Sequence, residues 1–116
     1  VRARQLTQGL NAAIRDAEVP GGAYAYASMV HIILGKEVPP PENDFSWNWG
    51  ESGPQASVPA TPRAIQWPFR RSLMTHGVDL LGSIALVSCV HSEADVDQSV
   101  DSFAAALSDL RRDSIL

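Results

Sequence analysis

Cysteine is almost absent from this 116-residue chain. The single thiol, Cys89, excludes an intrachain disulfide framework and a multi-cysteine metal cage, and it suits a reducing, cytoplasmic setting. Charge of one sign never accumulates. Nine Lys plus Arg stand against thirteen Asp plus Glu, a net charge of -4 spread without runs, so neither nucleic acid nor an anionic membrane finds a docking stripe. Long hydrophobic runs are also missing. Those at residues 27–34 and 84–90 are the longest, and both fall far short of the ~20 residues that cross a bilayer. No basic-then-apolar leader opens the chain, no segment repeats, and no Gly-x-Ser-x-Gly elbow supports a hydrolase triad at Ser88 or Ser92. Gly21-Gly22 is too short for a phosphate-binding loop.

What is present is a 45% hydrophobic composition, enough for one soluble core, so residues 1–116 are expected to form a single small domain. The chain opens at Val1, already inside a helical pattern, which reads as a segment of something longer. Leu6, Leu10, Ala13, Ile14 and Ala17 recur at helical spacing, predicting an amphipathic helix that ends near Glu18. Pro20, Gly21 and Gly22 predict a turn. Tyr24, Tyr26, Val30, Ile32 and Ile33 then predict one bent strand or two short ones, ending at Gly35.

Residues 36–62 carry Pro39, Pro40, Pro41, Pro54, Pro59 and Pro62 with no sustained period, and they predict a long loop. Phe45, Trp47 and Trp49 read as anchors pressing it onto the core. Helical character resumes over 63–76, with Ile65, Phe69, Leu73 and Met74 on one side. Pro68 fits a helix that starts near Trp67, and Gly77 stops it. Residues 78–81 and 84–90 predict two strands, with Gly82-Ser83 as a tight hairpin turn. Ser92 with Asp95 is a capping-box signal. Val96, Val100, Phe103, Ala104, Leu107 and Leu110 give the last helix its apolar stripe, and Arg111 and Arg112 suit its negative end. This order predicts an α+β fold: a small, mainly antiparallel sheet with helices packed on one face and the other face free to meet another domain.

Two blocks carry a family resemblance. Phe69-Arg70-Arg71-Ser72-Leu73-Met74-Thr75-His76-Gly77-Val78-Asp79-Leu80, followed by Val87-Ser88-Cys89-Val90-His91-Ser92-Glu93-Ala94-Asp95-Val96-Asp97, resembles the end of class III pyridoxal-phosphate aminotransferases. There a helix runs into a "hGVxL" turn, a strand and an "AHTxEDID"-like helix entry. Gly9 through Ile14, Val19-Pro20-Gly21 and Ser28-Met29-Val30-His31 are similar to the helix and first strand of the same carboxy-terminal small domain, closest to the glutamate-1-semialdehyde aminomutase branch.

The resemblance implies a fold-type I enzyme, usually a homodimer or other homo-oligomer. In it a large domain, not part of this chain, holds pyridoxal phosphate through a lysine Schiff base, and the small domain closes over the substrate and supports the subunit contact. The chain alone is then expected to be inactive, with no catalytic, cofactor-binding or metal-binding residues of its own. In the aminomutase branch the turn before the strand carries a glutamate facing the active site. Ser83 stands at that position, so Ser83 and Ile84 are the residues the resemblance assigns to the substrate side. A hydroxyl cannot supply a carboxylate's charge, so a related enzyme with another amino donor fits the sequence as well. A free-standing binding or assembly module built on the same fold is the reading from a different class.

Other residues read more simply. Lys36, the only lysine, reads as a solvated surface residue. His31, His76 and His91 lack the convergent partners a metal needs, and the last two read as supports for a turn and a helix end. Cys89 reads as a small buried hydrophobe, and Arg70 and Arg71 as solvent-facing.

Overall fold

The computed structural model describes residues 2–26, 28–36, 61–80, 84–88 and 90–116. Among the described residues three helices and three strands follow in the order α1 (Arg2–Asp16), β1 (Gly21–Tyr26), β2 (Met29–Leu34), α2 (Arg63–Thr75), β3 (Ile84–Leu86) and α3 (Glu93–Arg112). The sheet is antiparallel throughout with β2 in the centre, pairing Ala23 with Ile32 on one side and Val30 with Ala85 on the other. The expected α+β architecture is therefore present, with two short strands rather than one bent one between residues 21 and 34.

The alternation of the strands sorts their residues between two faces. Ala23, Ala25, Val30, Ile32 and Leu34 join Leu6, Leu10 and Ile14 of α1 in the core, where Phe69 and Leu73 of α2 meet Phe103, Leu107 and Leu110 of α3. Phe69 and Phe103 pack edge to face, 5.4 Å between ring centres. The polar residues buried here are satisfied: Thr7 donates to the Ala3 carbonyl and Ser102 to that of His76. Thr61 accepts from the Leu34 amide at 3.0 Å and donates to the Ile32 carbonyl, occupying the edge of β2 beyond the end of β3. Asn11 does the same for β1, its amide group bonding both the N–H and the C=O of Ala23 at 2.8 and 2.9 Å.

Four local expectations are corrected. Gly21 and Gly22 belong to β1 rather than to a turn. Gly21 holds φ 152°, and a Cβ there would run into the Ile33 carbonyl oxygen, so the glycine is required by the close approach of the two strands. α2 begins at Arg63, which puts Pro68 in its interior; the carbonyl this leaves unbonded belongs to Ala64, an exposed residue whose oxygen water can reach. Met74 lies outside the buried side of α2, 54% exposed. Among the described residues, 78–80 carry no strand, and the partner of β3 is β2, while Leu81, Gly82 and Ser83 of the expected hairpin lie outside the described residues. The long loop, apart from Lys36, Thr61 and Pro62, lies outside the described residues, as does Cys89.

The capping box is present in full. Asp95 N–H donates to Ser92 Oγ at 3.1 Å and Ser92 N–H to Asp95 Oδ2 at 2.7 Å, the second bond holding the Asp95 carboxyl below its ordinary range. Of the stripe expected on α3, Ala104 is exposed and Ala106 is buried instead.

Candidate functional site

Of the two residues assigned to the substrate side, Ser83 lies outside the described residues and Ile84 opens β3. Ile84 stands opposite His31 in the antiparallel register, so the two share the sheet face turned away from the helices. Tyr24, opposite His31 on β1, stacks on its ring with centres 4.8 Å apart and planes at 9°. Partial burial pushes the His31 imidazole below its ordinary pKa and the Tyr24 phenol above its own, so both are neutral near pH 7. Ile33 and Tyr24 on this face are buried, Met29, His31 and Ile84 are half-buried, and Leu86 is 58% exposed. The stacked Tyr24 and His31 thus lie among apolar side chains on this face.

The Tyr24–His31 pair beside Ile84 was missed by sequence reasoning, which weighed His31 only as a metal ligand. The signal was the alternation within β2, where His31 is out of phase with core residues Val30 and Ile32.

On the helical side, a cleft of about 140 Å³ opens over Leu6, Leu10 and Phe103, with Asp79, His91 and Asp95 at its rim. It is well below the ~300–1,000 Å³ typical of small-molecule sites. Its carboxylates are already engaged. Asp79 is held below the ordinary carboxylate range by Arg70, which pairs with it through two bonds of 2.9 and 3.3 Å, so Arg70 is not merely solvated. Asp95 belongs to the helix cap. His91 Nδ1 accepts from the Ser88 amide at 2.9 Å, which fixes the turn into α3 as expected. With that nitrogen occupied, and with Ser88 Oγ 3.5 Å away from it, Ser88, His91 and Asp95 are not a nucleophilic triad.

A second cluster ties α2 to α3. Asp109 Oδ2 accepts from Ser72 Oγ at 2.8 Å and is bonded to His76 Nε2 at 3.0 Å. These bonds, led by that of His76, hold the Asp109 carboxyl low, with Arg112 adding its charge. Both partners converge on the acid and none activates the hydroxyl, so the cluster is a clamp. Among the described residues no three His, Cys, Asp or Glu side chains converge on a metal position.

A lysine that carries pyridoxal phosphate needs surroundings that disfavour its ammonium form, a phosphate cup and a carboxylate for the pyridine nitrogen. Lys36 is exposed, follows Gly35 at the end of β2 and does not line the cleft. The described residues of this chain do not fit that cofactor.

No family model matches the chain. A glutamate-1-semialdehyde 2,1-aminomutase of Leptothrix cholodnii is 35% identical over 111 residues. An omega-transaminase of Sphaerobacter thermophilus superposes with a TM-score of 0.71 at 28% identity. The chain resembles the small domain of an aminotransferase- or aminomutase-type enzyme. The match takes in 91% of this chain for the aminomutase and 95% for the transaminase, and 23% of each relative, so the chain spans about a quarter of their length. The aminotransferase-like architecture agrees with that of a fold-type I carboxy-terminal domain, with β3 and the capped α3 in their expected order. Among the described residues no helix is long and apolar enough to cross a membrane.

Proposed function

We propose that the chain serves as the carboxy-terminal small domain of a class III pyridoxal-phosphate aminotransferase or aminomutase. It caps the substrate side of the active site and supports the contact between subunits, while the rest of the parent holds the cofactor. The observation that carries this reading is the asymmetry of coverage: two enzymes of this kind match nearly all of the chain, and the chain accounts for the same small share of each. The exposed setting of Lys36 agrees with this division of labour. The sheet face bearing Ile84, His31 and Tyr24 is the one that meets the rest of the parent. Ser83 in place of a carboxylate leaves the amino donor open to a substrate other than glutamate-1-semialdehyde.

Two measurements test the reading. The purified chain is mixed with pyridoxal phosphate, reduced with borohydride and mapped by mass spectrometry; no stoichiometric adduct is expected, and one confined to Lys36 would return the Schiff base to this chain. The gene upstream of the Val1 codon is then read. Several hundred residues with a lysine-bearing domain are expected. A start codon immediately upstream would replace this function with that of a free-standing binding or assembly module.

A further inference from the structure

We draw no further inference here: the strongest candidate, the stacked Tyr24 and His31 pair on the sheet face turned away from the helices, belongs to the site already described, and nothing in the structure shows what covers that face.

Discussion

At the scale of single residues, the packing makes sharp demands where backbones come close. Gly9 lies inside α1, and a Cβ there would sit 2.6 Å from Val100 Cγ2, the side chain of a residue stiff at χ1. Alanine improves helix propensity by ~1 kcal/mol, but overpacking costs about 1–3 kcal/mol, so Gly9→Ala is expected to destabilise the wild type. In a Val100→Ala background the obstruction is gone and the same change should stabilise by about 1 kcal/mol. Urea denaturation of the four proteins checks this, and a substitution with the same sign in both backgrounds would show that the helices do not touch there. Gly21→Ala has no such relief, because the obstacle is backbone at Ile33 and φ is positive. A loss of about 2 kcal/mol or more is expected. A midpoint unchanged from wild type would mean that β1 does not pair with β2 through Gly21 and Leu34.

At the scale of elements, caps and clamps decide how α2 and α3 are held. Ser92→Ala should cost about 1 kcal/mol by removing the hydroxyl that accepts the Asp95 amide. Asp79, Asp95 and Asp109 all have carboxyls held below their ordinary range by hydrogen bonds from Arg70, Ser92 and His76 respectively. A carboxyl whose pKa is lower folded than unfolded contributes stability that is complete above its unfolded value. That contribution is lost as pH falls through the folded one. The melting temperature should therefore be flat near neutrality and fall from about pH 4 downward. Asp109→Asn should lower stability at neutral pH and make the acid limb shallower; an acid limb identical to wild type would mean that the His76 and Ser72 bonds do not distinguish the charged acid.

Much of this element layer was legible in the sequence. The Ser92 cap, the α1 stripe and the breaks at Gly35 and Gly77 are local signals, read from neighbouring residues. What was not legible depended on distant partners. The strand expected over 84–90 is present only over 84–86, and its mate is β2, more than fifty residues earlier, rather than the adjacent segment 78–80. Pro68 suggested a later helix start because sequence alone did not show that Ala64 is exposed. Ile84 could be singled out by resemblance, but its neighbours His31 and Tyr24 become visible only once the register is known. Ser83, the residue that would speak most directly to substrate choice, lies outside the described residues.

At the scale of the whole molecule, the core lies between the helices and one face of the sheet, and the second face contributes little to it. That division makes a claim about folding as well as function. Phe69 and Phe103 are each 1% exposed and meet edge to face at the junction of α2 and α3, so Phe69→Ala removes contacts from both helices at once. A loss of about 3–5 kcal/mol is expected, a large part of the total stability of a domain of this size. Leu86 is the contrasting case, an apolar side chain 58% exposed on the second face. Leu86→Asp should leave the urea midpoint of the chain within about 0.5 kcal/mol of wild type, because little of its surface leaves water on folding. If Leu86→Asp instead unfolds the chain, the second face is part of the folding core and is not available to meet another domain. If Phe69→Ala is tolerated while Leu86→Asp is not, the core lies on the Leu86 side of the sheet and the order of layers is inverted. The two substitutions together thus separate the surface that makes this chain a domain from the surface that, in the proposed function, joins it to the rest of an enzyme.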